Sequence, residues 1–160
     1  MIQDDTFRIA LFGHRDFSGH SVLEDRLGSL LSSLFAEKEF IEIYVGRSGE
    51  FDIFSASVVK RTIKNEQKNG CELVCALPYR VRDIEFFEKY YDGVIIPECV
   101  YGVHPKAAIT VRNKWMVDIA DLIVVYVESD YGGAYNAMQY AKRACKAVVN
   151  LAEDKYSKDN

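Results

Sequence analysis

Three short polar turns in this 160-residue chain carry the residue types that hold an anion. They are Gly13-His14-Arg15, Gly46-Arg47-Ser48-Gly49 and Ser129-Asp130-Tyr131-Gly132-Gly133, and each follows an apolar run. Glycines let backbone N–H groups approach a ligand, and a helix that starts at such a turn adds partial positive charge. Arg15, Arg47 and Arg112 are the candidate anion partners, because a guanidinium presents a planar fork of donors to phosphate or carboxylate oxygens. Arg112 stands out because it heads a helix whose other face, Trp115, Met116 and Ile119, reads as core. Asn113 beside it has the chemistry to bind a base or ribose, or to cap a helix.

The other reactive side chains have two readings each. His14 follows a strand-ending glycine, which suits a general base or phosphate donor and equally a turn residue bonded to backbone. Glu50 and Asp52 are the carboxylates beside the second turn, and Asp52 also suits a helix cap. His20 and His104 read as structural or exposed. Phe86, Phe87, Tyr90, Tyr91 and Tyr101 read as core in preference to a base-stacking platform. The three histidines and four cysteines show no zinc spacing, so no metal and no cofactor is expected. Neither G-x-G-x-x-G, G-x-x-x-x-G-K-[ST] nor G-x-S-x-G occurs, which argues against dinucleotide Rossmann, P-loop and serine-hydrolase sites. Short glycine turns better suit a mononucleotide-sized ligand with one or two phosphates.

Alternating strand and helix signals must position these turns. Strands are predicted over Phe7–Phe12, Phe40–Val45, Cys71–Leu77, Gly93–Ile96, Leu122–Val127 and Ala147–Leu151. Helices are predicted from a capping box at Ser21-x-x-Glu24, from Asp52 to a stop near Asn69-Gly70, and over Val81–Tyr91, Ala107–Ala120 and Gly133–Cys145. Pro97 to Pro105 reads as a loop. Such alternation predicts an α/β fold: a Rossmann-like three-layer sandwich with a mostly parallel sheet, in one domain. Its bounds are expected at 1–152, followed by a polar tail at 153–160. All three turns then lie on one edge of the sheet, where open α/β folds bind ligands.

Composition narrows the function. Net charge is -4, and no apolar run reaches the roughly 20 residues that span a bilayer. The acidic start does not read as a signal peptide. Cys71, Cys75, Cys99 and Cys145 lack C-x-x-C pairing and mostly lie in apolar runs, so buried free thiols and a cytoplasmic setting are expected. Duplex wrapping is disfavoured by the acidic balance, and single-strand binding by the lack of a basic-aromatic strip.

With those residues in view, the chain resembles the SLOG superfamily, the Rossmann-like group of YpsA-like proteins, DprA and the lonely-guy phosphoribohydrolases. The YpsA-like branch is the nearest in appearance. The resemblance runs from Gly13-His14-Arg15 through Gly46-Arg47-Ser48-Gly49-Glu50-Phe51-Asp52 to Arg112-Asn113-Lys114-Trp115-Met116-Val117-Asp118 and Gly132-Gly133. It implies a nucleotide or nucleotide-derived ligand among Gly13, His14, Arg15, Gly46, Arg47, Ser48, Gly49, Arg112, Asn113, Gly132, Gly133, Ala134 and Asn136. It also implies a homo-oligomer. The phosphoribohydrolase branch resembles P-G-G-x-G-T-x-x-E at the last turn, whereas here Tyr135-Asn136 replaces Gly-Thr and Gln139 stands where the acid belongs. A glutamine amide does not ionise near neutral pH, so hydrolysis by that route is not expected. Glu50, Asp52 and Arg112 remain the weak catalytic candidates. The expected function is a cytosolic nucleotide-binding protein or sensor. The alternatives are cleavage of an N-glycosidic bond in a nucleoside monophosphate and, less expected, single-stranded nucleic-acid binding.

Overall fold

The computed structural model of the chain describes residues 4–153, so the predicted tail beyond Glu153 and the start of the acidic N-terminus lie outside the described residues. The elements run β1 (Phe7–Gly13), α1 (His20–Glu37), β2 (Ile41–Val45), α2 (Glu50–Asn65), β3 (Cys71–Ala76), α3 (Ile84–Tyr90), β4 (Gly93–Ile95), a 3-10 turn at Glu98–Val100, α4 (Pro105–Ile119), β5 (Leu122–Tyr126), α5 (Gly133–Arg143) and β6 (Ala147–Asn150). All six strands are parallel, in the order β4-β3-β2-β1-β5-β6. The fold is therefore a single α/β domain of the Rossmann-like three-layer type. β1 sits between β2 and β5, with Ala10 opposite both Tyr44 and Ile123. Strand order reverses there, and the crevice of a doubly wound sheet opens at such a reversal.

Side-chain alternation along the strands builds two cores. On β1, Ile9 and Leu11 face α1 and α2, where they meet Leu23, Leu27, Leu31 and Val59. Ala10 and Phe12 face the other way, towards Met116 and Val117 of α4 and Ala134, Ala137 and Met138 of α5. Leu122, Val124 and Tyr126 of β5 follow the first set, and Ile123 and Val125 the second. Strands buried on both faces read as unbroken apolar runs, as Leu122–Tyr126 does. Leu23, Leu27 and Leu31 recur every fourth residue and are fully buried, each worth about 1.5–3 kcal/mol relative to exposure. α5 buries mainly small residues, Ala134, Ala137 and Ala141, which lets its axis approach β1 and β5 closely.

Several helix ends differ from the sequence pattern. α1 starts one residue before Ser21, with Gly19 in the capping position and no side-chain cap, so the predicted capping box does not form. α2 ends at Asn65, short of Asn69-Gly70, because Gln67 takes the left-handed conformation (φ 52°). The N–H of Lys68 then reaches the carbonyl of Ile63 at 3.0 Å and that of Gln67 reaches Lys64 at 3.2 Å, the two bonds of a Schellman closure. α5 ends the same way: Cys145 is left-handed (φ 57°), and Lys146 and Cys145 donate to Ala141 and Lys142. Cys145 thus lies beyond its helix and is exposed, as is Cys99. The expectation of buried thiols holds for Cys75, whose thiol burial pushes up to about 12, and partly for Cys71. Phe87 and Tyr91 are core, whereas Phe86 and Tyr101 are exposed. No helix among the described residues is long and apolar enough to cross a membrane.

Candidate ligand pocket at the strand ends

The C-terminal ends of β1, β2 and β5 enclose a cavity of about 480 Å³. Its wall includes Gly13, His14, Arg15, Gly46, Ser48 and Asp52 from the first two turns. Arg112, Asn113, Gly132, Gly133 and Ala134 complete it from α4 and the start of α5. The three glycine turns of the sequence therefore do converge.

Arg112 is the centre of this arrangement. It is 2% exposed, on the α4 face that meets the sheet. Its Nη1 donates to the carbonyl of Ala76 at 2.6 Å, its Nε to Oδ1 of Asn113 at 2.9 Å, and its Nη2 to Oγ of Ser48 at 3.4 Å. Those three bonds use three of its five N–H donors. Among the described residues it forms no ion pair, and its hydrogen-bond acceptors are all neutral groups. Burial pushes its pKa down, opposed by the charge of Asp52. A guanidinium stays protonated through such a shift, so the pocket keeps its cation. Gly46 is what admits it: a Cβ there would stand 2.8 Å from Nη1.

Asp52 is not the N-cap of α2, which falls on Gly49; it stands in the first turn and reaches back to accept the N–H of Ser48 at 2.7 Å. A capping-box acid at the third helical position reaches back in a similar way. Burial raises its pKa above the usual aspartate value, against the lowering effects of the Ser48 N–H, Arg112 and Arg15. A proton on Asp52 therefore costs less here than on a solvated carboxyl.

His14 joins two walls. Its Nε2 accepts from the backbone N–H of Glu128 at 3.2 Å and of Ser129 at 3.4 Å, tying the end of β1 to the loop after β5. Of its two sequence readings, this geometry matches the turn residue bonded to backbone, with Nε2 as the acceptor. Beyond that loop Gly132 has φ 95°, a left-handed region where a side chain is strained, and α5 begins at Gly133. No side chain caps α5. Its first turn thus presents N–H groups and the positive end of the helix dipole beside Arg112.

Other predicted residues play different parts. A Cβ on Gly13 would fall 2.1 Å from the Phe51 ring, so that glycine makes room for an aromatic side chain. Gly49 lies against the backbone of Arg15 and does not line the cavity. Arg47 turns away, its guanidinium 4.3 Å from the centroid of Phe87 and its Nη1 4.0 Å from Asp83. Glu50 is exposed and outside the cavity wall. Asn136 and Gln139 line a neighbouring cavity between α4 and α5. Sequence reasoning missed the wall residues Asp16, Ile109 and Glu128. Asp16 and Glu128 adjoin turns already singled out, and strand-end geometry would have flagged them; Ile109 lay hidden in the apolar pattern of α4. Among the described residues no cluster of three or more metal-ligating side chains occurs.

Comparison with family models and with curated proteins finds no match. Solved structures do match. The X-ray structure of TM1055 aligns with a TM-score of 0.58 at 16% identity, over 89% of this chain and 72% of that one. A structure of DNA processing protein A from Helicobacter pylori, described for its single-stranded DNA binding mode, aligns at 0.61 with 13% identity, over 91% of this chain and 65% of that one. DNA processing protein A (DprA) from Streptococcus pneumoniae aligns at 0.53 with 13% identity, over 97% of this chain and 62% of that one. The chain thus spans somewhat less than two thirds of each DprA chain. At these identities the likeness establishes the Rossmann-like fold alone.

Proposed function

We propose that this chain binds a nucleotide or nucleotide-derived ligand, with a phosphate seated between Arg112 and the first turn of α5, as a cytosolic binding protein or sensor. Arg112 carries this reading: a buried guanidinium without an ion pair among the described residues, on the wall of a 480 Å³ cavity, with donors to spare. Ligand pockets commonly hold about 300–1,000 Å³, so the volume suits a nucleotide. The Arg112–Asp118 segment is also what supports a place in the YpsA-like branch.

Calorimetry with AMP and ADP-ribose tests the reading, on the native chain and on Arg112→Met, which keeps an apolar stem in the core. Native protein is expected to bind at least one of them and the variant to lose at least tenfold in affinity. A folded native protein that binds neither rules the reading out.

Asp52 favours a second reading, N-glycosidic cleavage of a nucleoside monophosphate. It is the one of the two sequence-nominated carboxylates that lines the cavity, and burial readies it to hold a proton. Base release from AMP that disappears in Asp52→Asn is the outcome this reading requires. The fold shared with the Helicobacter pylori protein supports a third, single-stranded DNA on the same arginines, despite the acidic net charge. A salt-sensitive complex with an oligonucleotide is its signature.

A further inference from the structure

The neighbouring cavity between α4 and α5 has about the volume of the first, 470 Å³. Its charge is different. Lys114 and Arg143 line it and no carboxylate does, whereas the first cavity combines Arg15 and Arg112 with Asp16, Asp52 and Glu128. Neither Lys114 nor Arg143 forms an ion pair among the described residues; Lys114 lies 5.5 Å from the centroid of the Tyr140 ring. Gln139 stands in the same wall as an uncharged amide, and the nearby Asp118 carboxylate, which accepts from the Tyr140 hydroxyl at 2.7 Å, is not part of that wall.

The cavities meet. Ile109, Asn113 and Gly133 line both. The Nε–H of Arg112 fixes the carboxamide of Asn113 by bonding its Oδ1, and the Nδ2 donor then faces Gly133, 3.9 Å from where a Cβ would stand. The passage is therefore walled by an oriented N–H donor on one side and by a residue without a side chain, at the start of a helix, on the other. That is a fitting surface for an anionic link between two parts of one ligand.

Resting on the nucleotide reading above, we propose that the ligand is a nucleotide with a second phosphate group, whose far half passes Gly133 and places that phosphate on Lys114 and Arg143. A nucleoside monophosphate leaves those two cations unused. A phosphoanhydride-linked and a phosphodiester-linked ligand share this chemistry.

Calorimetry with AMP, ADP-ribose and the 5′-phosphorylated dinucleotide pApA separates the cases, on the native chain and on the Lys114→Ala/Arg143→Ala double variant. Both substitutions are at exposed positions, and a thermal melt checks that the fold survives. At least one two-phosphate ligand is expected to bind about tenfold tighter than AMP, with that advantage lost in the double variant and AMP affinity unchanged. Whichever of the two shows it identifies the link. AMP binding without any two-phosphate advantage, or an advantage that survives in the double variant, overturns the proposal and leaves the nucleotide reading standing. If no nucleotide binds, both fall. If only long single-stranded oligonucleotides bind through Lys114 and Arg143, the second cavity belongs to a nucleic-acid surface and the proposal fails.

Discussion

The Arg112 guanidinium lies directly over Gly46, where a Cβ would stand 2.8 Å from Nη1 and 3.0 Å from Cζ and Nη2. Two residues 66 positions apart are thus fitted as one unit: the glycine that follows β2 is the seat of the arginine from α4. Gly46→Ala is expected to displace the guanidinium and its bonds to Ala76 and Ser48 while the helix stays in place. Charge-assisted hydrogen bonds are worth about 1.5–3 kcal/mol each, so nucleotide affinity should fall by at least tenfold. Titration calorimetry measures it; affinity equal to the native protein's shows that the seat is unnecessary.

Gly13 makes the opposite prediction. Its absent Cβ is replaced by the Phe51 ring, which is 1% exposed in the core shared by α1 and α2. Gly13→Ala overpacks that site and should destabilise the fold by about 1–3 kcal/mol or more. A thermal melt should show a drop of several degrees, whereas Gly28→Ala, inside α1 with nothing within 4 Å of its added Cβ, should keep or raise the melting point. Equal melting points for the two variants contradict the packing role.

Asp52 gives stability a pH dependence of definite sign. Burial raises its folded pKa, so the folded state holds its proton at pH values where the unfolded chain has lost it. Its contribution to stability therefore falls as pH rises from the ordinary aspartate value through the raised folded one. Asn at this position keeps an acceptor for the Ser48 N–H and carries no charge. Asp52→Asn is expected to melt at or above the native temperature at neutral pH, with the difference shrinking as pH falls towards the ordinary aspartate range. A variant less stable at neutral pH than at acid pH, relative to native, reverses the sign and rejects this account.

His14 is predicted to act on the loop after β5. His14→Ala leaves the N–H groups of Glu128 and Ser129 to solvent, which costs about 1 kcal/mol and loosens one cavity wall. Hydrogen exchange at those two amides should quicken, while amides of β1 and β5 keep their protection. Unchanged exchange at both positions removes the latch.

Much of this was legible in the chain. Leu122–Val127 announced a doubly buried strand, and the order of strands and helices announced the parallel sheet. Arg112 was marked as the strongest anion partner, on a helix whose other face reads as core, but the structure puts it on the buried face beside Met116. What the sequence did not reveal depends on neighbours distant in the chain. Gly13 reads as a ligand contact and does line the cavity, but only Phe51 of α2 shows why it must be glycine. Arg47 looked like Arg112, and Phe87 with Asp83 draws it away. Gln67 and Cys145 are left-handed without being glycine, so two helices end where local propensity gave no warning. Gln139, aligned with an expected acid, proved to face a second cavity that no local pattern discloses.

A ligand phosphate is expected to sit between Arg112 and the start of α5. The most direct measurement is a crystal structure with AMP at a concentration that calorimetry shows to saturate. Phosphate density within hydrogen-bond distance of the Arg112 guanidinium and of the Gly133 or Ala134 N–H is the predicted result. Nucleotide bound at another surface, with this cavity holding only solvent, contradicts it.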